Sequence, residues 1–285
     1  MLTILKLMRP HHYIKNLLVF AALVCSGNFF IVSKLLDTCC AFLAFCMTSS
    51  VVYIINDIRD KEKDSQHPTK CKRPIACGSV SIRTAWILVA VLVIVASLSN
   101  MLIYSPLSSL LLLLYFLANL GYSFGLKNIP LVDIAILVSG FLIRVAYGSL
   151  ITNIAISNWL YLTVISASFY FALGKRRNEL KRLGTDTRIV LKTYSLSFLD
   201  KNMYMCLTLT NVFYSLWSMD NQTVTSYNNA KLIFTVPIVL LITMKYSMLI
   251  EGDSDGDPVE VLFHDKKLLI LCTLYALMMF LILYM

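Results

Sequence analysis

Long uninterrupted runs of apolar residues recur along the whole chain, separated by short polar segments. Nine of these runs are close to the ~20 residues that an α-helix needs to cross the hydrocarbon core of a bilayer. They lie at about residues 17–33, 38–55, 85–104, 106–124, 131–151, 158–173, 200–218, 232–250 and 268–285. Continuous runs, unlike the alternating segments of a barrel, indicate helices, which satisfy their own backbone polar groups in lipid. The pattern therefore predicts an all-α, polytopic membrane protein with nine transmembrane helices, in a single domain over residues 1–285.

The composition agrees with this pattern and adds an orientation. Hydrophobic residues make up 58% of the 285 residues and charged residues only 14%, which excludes an ordinary soluble enzyme and a disordered chain. Most of the 25 Lys and Arg residues fall in segments that share one side of the membrane if the N-terminus is cytoplasmic. The positive-inside rule therefore predicts a cytoplasmic N-terminus and an outer C-terminus. We expect a multi-pass protein of the inner (plasma) membrane. The net charge of +9 follows from this topology and requires no nucleic-acid partner.

The two longest polar segments, about residues 56–84 and 174–199, both fall on the cytoplasmic side and carry both signs of charge. A transporter with alternating access usually shows repeated halves, and this sequence contains no convincing internal repeat. Charge gathered at one mouth favours an enzyme that joins a water-soluble, charged substrate to a lipid. A transporter of phosphorylated metabolites remains an alternative, because it too would use a cationic mouth.

Three aspartates follow one another at the cytoplasmic end of the second run. Asp57, Asp60 and Asp64 fall within about 60° of arc if the helix continues at ~100° per residue. Three carboxylates on one face repel each other unless a cation lies among them, and hard oxygen ligands at a membrane surface suit Mg²⁺ that bridges to a diphosphate. The alternative is a solvated helix surface, because Lys and Arg residues interleave with the aspartates and can form ion pairs along the helix.

The segment after the aspartates contains Lys70 and Arg73, followed by a proline, and these cations can close over a phosphate. The pattern N-D-x-x-D-x-x-x-D followed by K-x-x-R-P resembles the first aspartate-rich motif of the UbiA superfamily of intramembrane prenyltransferases. Tyr122–Lys127, with Asp133, resembles the Y-S-x-x-L-K stretch of that superfamily, and Gly140–Arg144 resembles its G-F-x-x-R segment. The resemblance implies a nine-helix bundle with an active-site mouth that faces the cytoplasm.

Three further motifs resemble one branch of the superfamily, the decaprenyl-phosphate phosphoribosyltransferases. Arg9–Asn16 resembles the R-P-x-Q-W-x-K-N opening of that branch, with His and Tyr in place of Gln and Trp. Gly174–Leu180 resembles its G-K-R-R-x-E-L segment, and Gly256–Glu260 resembles its G-D-P-V-E segment. The motifs occur in the same order as in the branch, so the resemblance extends over nearly the whole chain.

One departure from the wider superfamily bears on the substrate. Ordinary members carry a second acidic motif, D-x-x-x-D, after the sixth span, whereas this chain has Lys175, Arg176 and Arg177 ahead of Asn178 and Glu179. Cations in place of carboxylates imply a direct phosphate site instead of a second metal site, which suits the extra 5-phosphate of phosphoribosyl diphosphate. Alternatively, these cations only obey the positive-inside rule at a cytoplasmic helix end.

The resemblance implies transfer of 5-phosphoribose from phosphoribosyl diphosphate to a polyprenyl phosphate of the decaprenyl type, with release of diphosphate, for cell-wall precursor synthesis. Asp57, Asp60 and Asp64 are then the catalytic residues and the ligands of the Mg²⁺ cofactor. The expected substrate-binding residues are Lys15, Asn16, Asn56, Lys70, Arg73, Tyr122, Lys127, Arg144, Lys175, Arg176 and Arg177. The cations at 175–177 bind either the 5-phosphate or the lipid phosphate, and the intramembrane Arg144 either binds a phosphate or ties helices together.

A second candidate activity within the same fold is aromatic prenyl transfer from a prenyl diphosphate, which would need the second acidic motif. The expected partners are phosphoribosyl diphosphate, the polyprenyl phosphate lipid and the membrane. The sequence leaves homo-oligomerisation and the length of the prenyl chain undecided. The eight cysteines lack the paired spacing of a zinc site, so no thiolate-bound metal is expected.

Overall fold

The apolar runs fold as helices in the computed structural model of the chain. The structure describes residues 2–66, 70–103, 105–185, 188–221, 223–224, 230–252, 254 and 256–285. Within these ranges the regular secondary structure is entirely helical, which confirms the predicted fold class. The α-helices are α1 Leu2–Met8, α2 Ala21–Val24, α3 Val32–Arg59, α4 Lys61–Ser65, α5 Ile82–Met101, α6 Pro106–Phe124, α7 Val132–Thr152, α8 Asn158–Leu183, α9 Leu196–Met219, α10 Val236–Glu251, α11 Pro258–His264 and α12 Lys266–Tyr284. The 3₁₀ helices are Pro10–Phe20, Lys70–Lys72, Leu126–Asn128, Ile189–Lys192 and Ala230–Thr235.

Six helical segments of the described chain are both long and apolar enough to cross a membrane, as expected of a multi-pass membrane protein. They are α3, α5, α6, α7, the segment Lys231–Glu251 that contains α10, and α12. Helices α8 and α9 are also long, with 26 and 24 residues, but neither is among these six apolar segments. The count of nine membrane crossings therefore stays a prediction.

The first predicted run, residues 17–33, differs most from expectation. Its place is taken by the 3₁₀ helix Pro10–Phe20, which continues into the short helix α2 and ends well before α3 begins. A 3₁₀ helix rises about 2.0 Å per residue and an α-helix about 1.5 Å, so these 11 and 4 residues together extend over roughly 28 Å. The predicted α-helix over 17–33 is therefore wrong. The 3₁₀ helix begins earlier, at Pro10, and because it rises further per residue it covers a similar length with fewer residues than an α-helix would need.

Two helix boundaries also depart from the predicted pattern. Helix α8 continues past the sixth run to Leu183, so the cations at 175–177 lie on a helix and not in a loop. Helix α3 ends at Arg59 and α4 begins at Lys61, so the three aspartates do not share one continuous helix. The Asp60 N–H still donates to the Asn56 carbonyl at 2.9 Å, which keeps the chain near a helical path across the break.

The chain divides into two units by its internal contacts. The first unit comprises Met1–Leu23, Phe29–Phe124 and Ile143–Ile154. One part of its core is formed by α1, α3 and α5, with Leu7 and Ile54 completely buried. Gly148 allows the 3₁₀ helix Pro10–Phe20 to approach α7 very closely, because a Cβ atom at Gly148 would lie 1.9 Å from the carbonyl oxygen of Val19. A side chain at this position would therefore push away the 3₁₀ helix that carries Lys15 and Asn16.

The second unit comprises Val24–Asn28, Gly125–Leu142 and Ala155–Met285. Helices α8 and α9 pack along each other, and both begin with a serine cap. The Ser157 hydroxyl accepts from the Leu160 N–H at 3.2 Å, which satisfies a backbone donor at the start of α8. The core of this unit includes the buried side chains of Leu199, Met203 and Ile250, which pack near the part of α8 that carries the cations.

Candidate functional site

Four charged residues of the first unit, Arg9, Asp57, Asp64 and Arg73, form a group here called the aspartate cluster. Arg9 Nη2 donates to both carboxylate oxygens of Asp57, at 2.6 and 2.9 Å. Arg73 Nη1 donates to Asp57 Oδ1 at 3.0 Å and to Asp64 Oδ2 at 2.6 Å. Both carboxylates are buried, so the two guanidinium groups neutralise them inside the fold. The structure thus brings together three of the predicted site residues, Asp57, Asp64 and Arg73.

Local backbone geometry directs both arginines to the end of α3. Arg9 lies between α1 and the 3₁₀ helix that follows it, with the left-handed angles φ 55° and ψ 58°. Its guanidinium carbon lies 5.2 Å from the centroid of the Tyr53 ring, one turn before Asp57. Arg73 follows the 3₁₀ turn of Lys70–Lys72, and its N–H donates to the Lys70 carbonyl at 2.9 Å. This turn folds the K-x-x-R-P segment back onto the aspartates.

Other predicted residues of the first unit surround this end of α3. Asn56 Oδ1 accepts from Ser123 Oγ at 3.0 Å, which joins α3 to the end of α6 beside the half-buried Tyr122. Asp60 lies at the junction of α3 and α4 and is half-buried, as is Lys70. Asp60 and Lys70 thus lie on the same stretch of chain as the aspartates and Arg73 of the aspartate cluster.

Asn16 and Arg144 form a separate, buried polar pair within the first unit. Arg144 Nε donates to Asn16 Oδ1 at 2.8 Å, and Nη2 donates to the Tyr115 hydroxyl at 3.1 Å. The guanidinium carbon also lies 4.8 Å from the centroid of the Phe45 ring, within range of a cation–π interaction. These contacts join the 3₁₀ helix before α2 to α3, α6 and α7, which supports the structural alternative for Arg144.

In the second unit, Asp133, Arg176, Glu179 and Tyr194 form a group here called the Arg176 cluster. Arg176 is 0% exposed; its Nε donates to Asp133 Oδ2 at 2.5 Å and its Nη1 to Glu179 Oε2 at 2.6 Å. The Tyr194 hydroxyl donates to the other oxygen of Asp133 at 2.7 Å. Burial alone would raise the pKa of the Glu179 carboxyl, but the neighbouring cations, Arg176 foremost, outweigh burial and hold that pKa below its usual value. Arg176 therefore lies in an enclosed ionic environment.

The two cations on either side of Arg176 are in more open environments. Arg177 Nε donates to Asp200 Oδ1 at 2.5 Å, and 13% of the Arg177 side chain is exposed. Lys175 Nζ lies 3.7 Å from Asp257 Oδ2, and 33% of the Lys175 side chain is exposed. Of the three predicted phosphate ligands on α8, these two retain contact with solvent.

The two late motifs of the sequence meet each other in the second unit. Gly256 has φ +79°, and a Cβ atom there would lie 2.8 Å from the Cα of Lys175, so the G-D-P-V-E segment packs directly on α8. Asp257 both pairs with Lys175 and caps the start of α11. Asn178 Nδ2 donates to the Ile250 carbonyl at 2.9 Å, which fixes α8 against the end of α10. These contacts explain how the G-K-R-R-x-E-L segment is positioned.

Two further predicted residues, Lys15 and Lys127, lie in 3₁₀ helices. Lys127 is half-buried in the 3₁₀ helix Leu126–Asn128 of the second unit, and Lys15 is half-buried in the first unit. Sequence reasoning missed Arg9 as a site residue, although it opens the R-P-x-x-x-x-K-N motif. Its place as the first residue of this motif was the signal that could have identified Arg9. Asp200, the partner of Arg177, carries no comparable signal.

The aspartate cluster has a donor set that suits a hard divalent cation. Asp57 Oδ1 and Asp64 Oδ2 both lie within 3.0 Å of a single atom, Arg73 Nη1, so the two oxygens converge on one point. Among the described residues, no group of three or more His, Cys, Asp or Glu side chains is placed to hold a metal. Mg²⁺ is usually bound through one or two carboxylates together with water and substrate phosphates, so two converging carboxylates fit it.

Comparisons with known proteins agree with this architecture. Residues 17–264 match the model of the UbiA prenyltransferase family. A decaprenyl-phosphate phosphoribosyltransferase of Corynebacterium glutamicum is 33% identical, with 94% of this chain and 82% of the relative covered. A protein of the same name from Mycolicibacterium smegmatis is 34% identical, with 94% and 88% covered. The chain therefore belongs to the UbiA prenyltransferase family.

Solved structures show the same fold. A UbiA homolog from Archaeoglobus fulgidus, bound to GPP and Mg²⁺, superimposes with a TM-score of 0.71 over 99% of both chains. The two sequences are only 17% identical, so this likeness concerns the fold alone. It confirms that the helices of this chain follow the UbiA arrangement.

Proposed function

We propose that this protein transfers the 5-phosphoribosyl group of phosphoribosyl diphosphate to a polyprenyl phosphate and releases diphosphate. The observation that carries the proposal is the end-to-end similarity to relatives named decaprenyl-phosphate phosphoribosyltransferase, at 33–34% identity over 94% of this chain. The cations at 175–177, which stand where ordinary family members have a second acidic motif, are consistent with a phosphorylated sugar as donor.

The chemistry requires stabilisation of a leaving group more than activation of a nucleophile. The phosphate of the lipid is already an anion, so it attacks C1 of the ribose without a strong general base. As the C1–O bond breaks, positive charge develops on the sugar and negative charge on the departing diphosphate. Arg9 and Arg73 are proposed to donate charge-assisted hydrogen bonds to those oxygens, and these bonds would strengthen as the charge develops.

Asp57 and Asp64 are the proposed ligands of Mg²⁺, with Asp60 at the adjacent helix junction as a third candidate. When bound, the metal supplies further stabilisation of the negative charge on the diphosphate. Asn56 and Lys70, at the same end of α3, are proposed to orient diphosphate oxygens, as is Lys127. The role of the protein residues in this scheme is to hold and orient the leaving group.

Lys175 and Arg177 are the proposed ligands of a substrate phosphate, because their side chains retain exposed atoms. We assign them to the 5-phosphate of the sugar. Arg176 is proposed to position the helix that carries them and not to touch substrate, since its guanidinium is enclosed with Asp133 and Glu179. This changes the prediction for Arg176 from ligand to positioning residue.

The same proposal includes the orientation of the protein. Lys and Arg residues concentrate in segments that a cytoplasmic N-terminus would place on the cytoplasmic side, so we propose the inner membrane with the phosphate-binding segments facing the cytoplasm. Single cysteines placed at positions 72 and 221, in a variant without native cysteines, should react with an impermeant thiol reagent from opposite sides. Labelling of both from the same side would contradict this orientation.

The experiment that tests the activity uses purified full-length protein in detergent with phosphoribosyl diphosphate labelled on its 5-phosphate. Radioactivity should enter the organic phase only when a polyprenyl phosphate is added, in a 1:1 ratio with released diphosphate. A series of polyprenyl phosphates of different lengths then identifies the preferred acceptor. Diphosphate release without label in the lipid would contradict the proposal.

A parallel reaction tests aromatic prenyl transfer. Prenyl diphosphate and an aromatic acid replace the two proposed substrates in the same preparation. We expect no prenylated product, because the second acidic motif of that activity is replaced here by cations. Prenylation of the aromatic acid at a rate above that of phosphoribosyl transfer would favour this alternative.

A further inference from the structure

The aspartate cluster is electrically balanced without any bound ligand. Two carboxylates face two guanidinium groups, and Arg73 Nη1 occupies the point on which Asp57 Oδ1 and Asp64 Oδ2 converge. Arg9 covers both oxygens of Asp57 from another direction. The oxygens that would ligate a divalent cation are therefore already engaged by protein cations.

A divalent cation that arrives alone meets two obstacles at these oxygens. It must displace charge-assisted hydrogen bonds, and it leaves Arg9 and Arg73 beside a new positive charge with their carboxylate partners taken. Removing the partner of a mostly buried charge is strongly unfavourable. A cation that enters with a diphosphate avoids both, because the diphosphate oxygens offer the two guanidinium groups new acceptors as the carboxylates turn to the metal.

We infer that Arg9 and Arg73 exchange partners during substrate binding, pairing with Asp57 and Asp64 in the empty protein and with diphosphate oxygens in the loaded one. The divalent metal and the diphosphate then bind with positive coupling, and each raises the affinity of the other by the same factor. The inference rests on the proposed function only in that the substrate carries a diphosphate. The exchange makes Arg9 a specificity-determining residue, because it weakens the binding of a divalent metal that arrives without a diphosphate.

The solvent exposure of the two arginine side chains is consistent with this exchange of partners. The Arg9 side chain is 18% exposed and that of Arg73 is 24% exposed, whereas their aspartate partners are nearly enclosed. The guanidinium groups can therefore turn toward a ligand without first leaving a sealed core. The Tyr53 ring, 5.2 Å from the Arg9 guanidinium carbon, offers a contact that does not depend on Asp57.

The test uses Mn²⁺ as a spectroscopic probe and inorganic pyrophosphate as the diphosphate, with full-length protein in detergent. Electron paramagnetic resonance measures free Mn²⁺ in titrations with and without pyrophosphate, corrected for the Mn²⁺–pyrophosphate complex in solution. For the wild-type protein, pyrophosphate should lower the Kd for Mn²⁺ by roughly 5- to 150-fold, the usual range of coupling between two ligands.

Two variants of matched charge separate the inference from a general electrostatic effect. Arg9→Gln should bind Mn²⁺ alone more tightly than the wild-type protein and should lose most of the coupling. Arg59→Gln removes the same charge at the end of α3, where the exposed Arg59 guanidinium lies 4.6 Å from the Phe124 ring centroid. It should retain the wild-type coupling. Arg73→Gln, as a second variant within the cluster, should behave like Arg9→Gln.

Two outcomes would overturn the inference: wild-type protein whose Mn²⁺ affinity does not respond to pyrophosphate, or equal coupling in Arg9→Gln, Arg73→Gln and the wild type. Thermal unfolding of each variant identifies any that fails to fold, and the remaining arginine variant then decides. The transfer assay on the same preparation keeps the two proposals distinct. If Mn²⁺ and pyrophosphate binding are coupled but no phosphoribosyl group is transferred to a polyprenyl phosphate, the proposed function is wrong and the exchange of arginine partners still holds.

Discussion

The aspartate cluster and the Arg176 cluster use the same side chains in two different ways. Each joins arginine to two largely buried carboxylates through hydrogen bonds of 2.5–3.0 Å. In the aspartate cluster the arginines are the exposed partners. In the Arg176 cluster the arginine is completely buried, as is Asp133, and the Tyr194 hydroxyl donates to the other oxygen of Asp133.

The difference teaches which cations can reach a ligand. An arginine at the edge of a cluster can leave its carboxylates when a better anion arrives, whereas an arginine enclosed by them would abandon two buried negative charges. Arg9 and Arg73 belong to the first kind and Arg176 to the second. The position of a cation within a motif therefore does not by itself define a phosphate ligand.

The largest effect is expected for Arg176→Ala, which should lower the free energy of unfolding by about 3–5 kcal/mol, because Asp133 loses its cation and Glu179 keeps only the 3.4 Å pair with Arg188. Unfolding in detergent with a chemical denaturant measures it. Arg177→Ala is the matched control, because its pair with Asp200 is more exposed and should cost less than about 1 kcal/mol. Equal destabilisation by the two variants would remove the distinction between an enclosed arginine and a partly exposed one.

The next effect is the loss of turnover in Asp57→Asn, expected to be about a hundred- to a thousandfold, as when one electrostatic stabiliser of a leaving charge is removed. The amide still accepts a hydrogen bond, so the fold should survive. Initial rates of phosphoribosyl transfer across a Mg²⁺ titration measure the loss. Asp37→Asn, a change at the exposed start of α3, should leave the rate unaltered. Near wild-type turnover in Asp57→Asn would disprove the metal assignment.

A smaller effect is expected on substrate affinity in Arg177→Ala. Loss of one hydrogen bond to a charged group, ~1.5–3 kcal/mol, should raise the KM for phosphoribosyl diphosphate about ten- to a hundredfold. The KM for polyprenyl phosphate should hardly change. The opposite pattern would assign Arg177 to the lipid phosphate, and an unchanged KM for both would leave only a topological role. Lys181→Ala, on the next turn of α8, serves as the control.

The smallest effect is expected for the stability of Lys175→Ala. The 3.7 Å pair with Asp257 is partly exposed, so its loss should lower the free energy of unfolding by less than about 1 kcal/mol. The same denaturant experiment compares it with the neighbouring Arg176. A loss as large as that of Arg176→Ala would show that the second unit depends on all its cations alike.

Sequence patterns predicted the fold better than the contacts within the site. The apolar runs gave most long helices, and α6 begins at Pro106 as predicted, because apolar length and proline are local signals. The first run was wrong, because an apolar pattern does not distinguish an α-helix that fills the run from a 3₁₀ helix that begins before it. The aspartate-rich motif does lie at the end of α3, and the G-K-R-R-x-E-L segment does lie on α8.

The roles of individual charges could not be predicted in the same way. Arg176 and Arg177 are adjacent in sequence, and nothing local shows that one is enclosed by Asp133 from another helix while the other remains at the surface. Likewise, Arg9 meets Asp57 across 48 positions of sequence. Such pairings depend on tertiary packing, which periodicity does not encode.

Arg9 adopts a left-handed backbone conformation that is unusual for a residue other than glycine. Left-handed φ and ψ cost a non-glycine residue about 1–3 kcal/mol, and a following proline restricts the backbone further. Glycine would suit the turn better, but only arginine supplies the guanidinium that reaches Asp57. The two hydrogen bonds from Arg9 to the buried Asp57 carboxylate offset this strain, so one residue combines a cost in its backbone with a gain from its side chain. Glycine at this position should therefore relax the turn and still lower the free energy of unfolding, because Asp57 would keep only Arg73 as its cation.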